Sequence, residues 1–317
     1  NDLGRMVGSY RQDQCILKMF ILDPEKGVQL VSQKKKSLNP IKINNANEIL
    51  ADSDSIWSES SGFSSLEIPE GFYIQCLELN DHGQIIGSYR QKGASDCRPF
   101  KWDNGKVFDL GPGSDFAKGF DDIGLYPIKI EVKDINNQGH IVGKVHYGKY
   151  NELTGKYVKV GCCNFFWNES FHLIKISNCG IFETMKLNEE DDVLLCDGSS
   201  KYQTFIWNLK SNLQKVDRFR GIDFNDHRII IGFAQVEQKG GQLKIVPGVF
   251  VNDKTYTIAE LLGVDDVKWL TTPYSDHYEA EKLIRLVAIN NMDQIAAECT
   301  VWDDIYPCIL QLKDLEK

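Results

Sequence analysis

The chain reads as short apolar runs broken by polar turns, each run five to eight residues long. Phe72-Tyr73-Ile74-Gln75-Cys76-Leu77 leads into the turn Asn80-Asp81-His82-Gly83. The stretch Gln84-Ile85-Ile86-Gly87-Ser88-Tyr89 follows, then Phe100-Lys101-Trp102, then Asp103-Asn104-Gly105, then Lys106 to Leu110. Apolar runs of this length bounded by Asn, Asp and Gly predict strands joined by tight turns. Helix is expected only within insertions, such as Thr257 to Leu262.

The same phrase recurs along the chain. Its asparagine stands at 1, 44, 80, 136, 188, 225 and 290, so the spacings are 43, 36, 56, 52, 37 and 65. The shortest spacings define the unit and the longer ones add insertions. Every unit has one grammar: a strand before the asparagine, a turn, a second strand, a third with an aromatic pair, and a fourth. The aromatic pair is clearest at Phe100/Trp102, Phe165/Trp167 and Phe205/Trp207. The first unit lacks its first strand, and the last has little of its fourth. Four strands with polar turns make an antiparallel meander, which cannot bury both faces alone. Packed radially, seven meanders bury their faces against one another, so the predicted fold is all-β, a seven-bladed β-propeller over residues 1–317. Upstream sequence is expected, since Asn1 is not a natural start. Gly8, Ala51, Gly87, Gly143, Gly232 and Ala297 close the second strands and suit a close approach near a crowded axis. Trp57, Trp102, Trp167 and Trp207 are expected to fill the gaps between blades.

On these residues the units resemble the HAF-repeat family of propeller-like proteins. That signature joins an Asn-x-x-Gly-Gln-hydrophobic-hydrophobic-Gly turn to a Phe-x-Trp strand. Leu79 to Leu110 matches best, while units two, five and seven have lost glycines. The resemblance covers nearly the whole chain. It implies a scaffold, often in a cell-surface setting, and brings no catalytic residues.

Strand alternation sorts the connections onto two faces. The long insertions, Gly111–Pro127, Lys144–Lys159, Gln235–Leu243 and Gly263–Lys282, all belong to one of them. Long connections in a compact domain carry binding more often than framework does. Their aromatics are the candidate partner anchors: Trp269 and Tyr274 foremost, with Tyr278, Phe120, Tyr126, Tyr147 and Tyr150. Packing of the insertions onto the blades is the competing expectation.

Composition narrows the partner. Hydrophobic residues make up 42% and charged residues 26%, as in ordinary globular proteins. A net charge of −9 argues against nucleic acid. No apolar run approaches a membrane span. The nine cysteines form no C-x-x-C pair, and several sit in apolar strands, which reads as reduced core thiols and favours a reducing compartment. In Cys162-Cys163 the two side chains are expected on opposite faces of a strand. Histidines and acidic pairs show no zinc or calcium spacing, so no metal or cofactor is expected. Asn168-Glu169-Ser170 satisfies the N-glycosylation pattern. The leading expectation is a monomeric, non-catalytic scaffold that binds a protein, peptide or glycan through the long-insertion face. The alternative is a hydrolase or lyase at the central channel, for which Glu78, Lys133, Asp134, Lys186 and Asp223 are the charged residues on first strands.

Overall fold

The computed structural model describes residues 1–13, 16–31, 39–52, 54–66, 71–94, 97–121, 126–151, 153–154, 156–174, 182–197, 203–237, 241–263, 284–301 and 304–312. The chain is an all-β, seven-bladed β-propeller. It divides into two compact units, Asn1–Ser177 and Asn178–Lys317.

The first unit holds four blades. Blade one is β1 (Met6–Asp13), β2 (Ile16–Asp23) and β3 (Gly27–Val31). Blade two is β4 (Pro40–Ile43), β5 (Ile49–Ala51), β6 (Ser55–Ser58) and β7 (Gly62–Ser65). Blade three is β8 (Phe72–Leu79), β9 (Ile85–Gln91), β10 (Arg98–Asp103) and β11 (Lys106–Asp109). Blade four follows helix α1 (Asp115–Asp121) as β12 (Tyr126–Ile135), β13 (Ile141–Asn151), β14 (Lys156–Trp167) and β15 (Phe171–Ile174). The second unit holds three. Blade five is β16 (Phe182–Leu187), β17 (Val193–Asp197), β18 (Thr204–Asn208) and β19 (Asn212–Val216). Blade six is β20 (Phe219–Phe224), β21 (Ile230–Glu237), β22 (Leu243–Val251) and β23 (Lys254–Thr257). Blade seven follows α2 (Ile258–Leu262) as β24 (Ile284–Ile289), β25 (Gln294–Val301) and β26 (Asp304–Gln311). Blade one lacks a first strand and blade seven a fourth among the described residues, as the repeat pattern predicts. Helix α2 starts at a capping box between Thr257 and Glu260, where that pattern places it.

Adjacent residues of a second strand point into different interfaces. Ile49 packs with Met19 and Ile21 of blade one, while Leu50 packs with Ile85 and Phe100 of blade three. In turn, Ile85 stays in that cluster while Ile86 joins Ile141 and Phe165 of blade four. Both faces of each middle blade are therefore apolar, each fully buried aliphatic contributing about 1.5–3 kcal/mol. The four repeat tryptophans are half-buried, and the deeper filling comes from the partner ring, Phe100 or Phe165, each fully buried.

The close approach expected at Gly87 and Gly143 is present, but within each blade rather than at an axis. A Cβ on Gly87 would lie 2.4 Å from the Gln75 carbonyl and 2.8 Å from Phe100. On Gly143 it would lie 2.3 Å from the Glu131 carbonyl and 2.6 Å from Phe165. The cause is a bulge in the first strand, which presses that strand against the glycine. The extra residue is Ile41, Leu77, Lys133, Ile222 or Val287, three places before the asparagine in five blades.

The repeated turn explains its own recurrence. Its fourth residue has positive φ in all seven copies, from 58° at Arg228 to 79° at Gly139. Asn47, Asp191 and Asp293 replace glycine with residues that tolerate this region. Arg228 is the less tolerant substitute, and its guanidinium forms two 2.7 Å bonds to the fully buried Asp192. The asparagine Oδ1 accepts from the backbone N–H four residues on in every copy, at 2.8–3.0 Å.

The same asparagine also reaches the next blade. Nδ2 of Asn1, Asn44 and Asn80 donates to the carbonyls of Asn44, Asn80 and Asn136. In the second unit Asn188 and Asn225 reach Asn225 and Asn290 in the same way. One position on, the N–H groups of Asp2, Asn45 and Asp81 donate to the side chains of Asn45, Asp81 and Asn137 at 2.7 Å. Glu189 and Asp226 repeat this bond to Asp226 and Asn291. Reading the asparagine as a turn former alone misses this clasp between blades.

The cysteines divide. Cys76 and Cys196 are buried core thiols, and burial pushes them up to about 12 and about 11. Cys97 is exposed, and Cys299 is bonded to Cys308, so the expectation of mostly reduced core thiols has one disulfide and one surface thiol as its exceptions among the described residues. Cys162 pairs with His146 and Cys163 with Val145, so the adjacent thiols do face opposite sides. Cys15 and Cys179 lie outside the described residues.

Candidate functional site

The insertions supply the candidate site, and the structure sorts their aromatics. Residues 111–127 contain α1, which turns Phe116 and Phe120 onto blade four. The Phe120 ring lies 4.0 Å from Phe171 and 5.3 Å from Phe165, and the residue is fully buried. Phe120 is therefore a packing residue, not an exposed anchor, because α1 needs an apolar face to dock. Gly119 permits this docking, since a Cβ there would lie 2.5 Å from the Phe171 ring.

The described residues of 144–159 and 235–243 lengthen the middle strands of blades four and six into two-stranded ribbons, with pairing that runs to Asn151↔Lys156 across an irregularity at Tyr147/Gly148, and to Glu237↔Leu243. Tyr126 opens β12 and is 56% exposed. Tyr147 is half-buried over Gly161, where a Cβ would meet its hydroxyl at 2.6 Å. Tyr150 lies in β13 opposite Tyr157. Trp269, Tyr274 and Tyr278 lie outside the described residues.

The β13–β14 ribbon carries apolar surface that the sequence reading did not single out. Leu153 at its tip is 97% exposed, and Val158 and Val160 are about half exposed. Lys149, Lys156 and Lys159 share the ribbon, so it is locally basic in a chain of net charge −9. The alternation of valine and lysine that keeps an edge strand soluble conceals this surface in the sequence.

The charged residues of the first strands are engaged between and within blades. Lys42 Nζ lies 3.0 Å from Glu78 of the next blade. Asp223 accepts from the Ile289 N–H at 3.0 Å, from blade six to blade seven. Asp134 is buried and accepts from the Ile135 N–H. Lys133 is the bulged residue of β12 and sits 3.2 Å from Glu131. Lys186 on β16 holds the place of Glu78, Asp134 and Asp223, two before the asparagine.

Glu131 gathers three partners: Lys129 at 2.7 Å, Lys133 at 3.2 Å and His146 at 3.3 Å. Burial pushes its carboxyl up, but the lysine bonds and charges outweigh this and hold it at about 2. Burial, then the Lys159 charge, lowers His146, with Glu131 opposing. At neutral pH the pair is a carboxylate beside a neutral imidazole. Among the described residues no three His, Cys, Asp or Glu side chains converge as a metal ion requires, and no helix is long and apolar enough to cross a membrane.

No protein-family model matches the chain, and no curated protein matches it by sequence. Solved structures match its fold. The β-propeller domain of the Trilobed protease from Pyrococcus furiosus is 10% identical with a TM-score of 0.53, covering 80% of each chain. An oligogalacturonate lyase in complex with manganese is 10% identical with a TM-score of 0.59, over 99% of this chain and 87% of that one. The Pyrococcus horikoshii acylaminoacyl peptidase is 11% identical with a TM-score of 0.51; 93% of this chain matches 48% of that protein. At these identities the likeness is one of fold.

Proposed function

We propose that this chain is a non-catalytic propeller scaffold of the HAF-repeat kind that holds a protein or peptide partner through its long insertions. One observation carries the reading: the β13–β14 ribbon presents Leu153, Val158 and Val160 to solvent next to the exposed Tyr126. Apolar side chains on a hydrogen-bonded ribbon are partly ordered before binding, which lowers the entropy lost on association. The first-strand charges support the same reading, since they are occupied in holding strands and blades together. A carboxylate held near 2 is a poor proton donor at neutral pH.

The test is capture by the wild-type chain against a Leu153→Ser/Val158→Thr/Val160→Thr variant. The two threonines keep strand propensity and Leu153 lies in the exposed turn, so the urea midpoint should stay in place. A partner using this surface should bind the variant about thirtyfold more weakly, the effect of losing roughly 2 kcal/mol of interface. A partner retained equally by both chains refutes the reading.

The second reading is a hydrolase or lyase, as the peptidase and the lyase of matching fold are. The contact between Glu131 and His146, with Cys162 in register on the third strand, favours it. Substrate turnover that His146→Ala abolishes and the ribbon variant retains would replace the scaffold reading.

A further inference from the structure

The third strands place one residue between the two positions of the aromatic pair. Register identifies it in every blade, opposite the residue just before the second-strand Gly or Ala slot. It is Ile21, Ile56, Lys101, Phe166, Ile206, Val249 and Ile309. Six are apolar; blade three has lysine. The fourth-strand residue paired with each shows the reverse trend. It is Gln29, Ser64, His172, Gln214 and Tyr256 in five blades, and Phe108 in blade three. Blade three alone among these pairs puts the amine inside and the bare ring outside. The Lys101 side chain is 18% exposed, and Phe108 is 49% exposed. Folding does not ask for this inversion, since five other blades use the ordinary order. A local break of the pattern points to function.

The inversion opens onto a cleft of about 1040 Å³ between blades three and four. Lys101 and Asp103 line it with Phe108, and Trp167, Phe171 and Glu169 form the facing wall. Its volume is at the top of the range of small-ligand sites. Lys101 Nζ stands 4.0 Å from Asp103 Oδ2, beyond hydrogen-bond distance. The Asp103 carboxylate is fixed by Gln84 and Asn104, each donating at 2.8 Å. Burial lowers the lysine, with Asp103 partly opposing. The cleft thus offers a donor and an acceptor side by side beneath aromatic walls. Of the carboxylates along it, Asp109 is paired with Arg98 and Asp115 with Lys118, so Asp103 and Glu169 are the ones that disfavour an anion.

We propose that this cleft is a binding site for a neutral oligosaccharide, with a pyranose ring against Phe108 and Trp167 and its hydroxyls on Lys101 and Asp103. Pyranose rings combine an apolar C–H face with a rim of hydroxyls, which is the pairing the cleft presents. The site goes beyond the ribbon reading and shares no residue with it, so the two tests fail separately.

The experiment titrates the full chain with cellotetraose, maltotetraose, xylotetraose and tetragalacturonate, reading tryptophan fluorescence and calorimetric heat. At least one neutral tetrasaccharide should bind, and tetragalacturonate should bind more weakly. Lys101→Ile/Phe108→Gln gives blade three the combination that blades one and five already use. It should weaken binding at least about tenfold and leave the urea midpoint equal or higher. The proposal is overturned if no neutral sugar binds at millimolar concentration, if tetragalacturonate is preferred, or if the double variant binds normally. A fall in its midpoint would assign the inversion to stability and overturn it as well.

Discussion

Asn80 tests the clasp between blades. It is 4% exposed, and its side chain makes four hydrogen bonds. Its Oδ1 accepts from the Gln84 N–H at 2.9 Å and the His82 N–H at 3.1 Å, which shapes the turn. Its Nδ2 donates to Gln84 Oε1 at 2.8 Å and to the Asn136 carbonyl of blade four at 2.9 Å. Asn80→Ala removes both functions. It takes one partner from the half-buried Gln84 N–H and one from the buried Asn136 carbonyl, which keeps the Gly139 N–H. A net hydrogen bond contributes about 0.5–1.5 kcal/mol, so the loss should be about 1–3 kcal/mol. That is a large share of a typical total of about 5–15 kcal/mol. Asn80→Asp separates the two functions. It keeps the acceptor for the turn and sets an oxygen against the Asn136 carbonyl, so it should cost at least as much as alanine. Asn104→Gly is the control, because Asn104 is exposed at φ 49° and glycine adopts that region freely. Urea unfolding, with midpoint and slope compared across the three variants, gives the result. A destabilised alanine variant beside an unaffected aspartate variant would show that the turn alone matters and that the contact between blades contributes nothing. Both variants within about 0.5 kcal/mol of wild type would refute the whole account.

Two further expectations concern the glycine approach and the Glu131 cluster. Gly87→Ala should cost about 1–3 kcal/mol in urea, since its Cβ would meet the Gln75 carbonyl at 2.4 Å; Gly105→Ala, with nothing within 4 Å, should cost only the strain of its φ of 79°. The folded-state carboxyl of Glu131 lies below its ordinary value of 4.5, so its stabilising contribution is full above that value and is lost as pH falls toward about 2. Glu131→Gln should therefore flatten the stability profile in that acid window, and an unchanged profile would show that the lysine contacts contribute nothing.

The repeat made most of the fold legible. Strand order, the number of blades, the missing first and fourth strands at the ends, and α2 all follow from turn chemistry and apolar runs, which are local properties. The binding surface was less legible. Phe120 reads as a loop aromatic until Phe165 and Phe171 are in place to cover it. The ribbon reads as an insertion because its lysines dilute the valines. Lys101 stands out once the blades are set in register, since a single lysine in a strand is unremarkable until six equivalents are seen to be apolar.

The chain by itself determined that seven meanders would form and which faces of them were apolar, because a strand's period and a turn's φ depend on neighbouring residues. Tertiary structure decided what the recurring polar groups do. The second function of Asn80 exists when the Asn136 carbonyl, 56 residues away, arrives at 2.9 Å. The amine of Lys101 acquires its setting when blade four brings Trp167 and Phe171 opposite it. Both depend on contacts distant in sequence, and burial turns an ordinary polar side chain into one whose missing partner costs free energy.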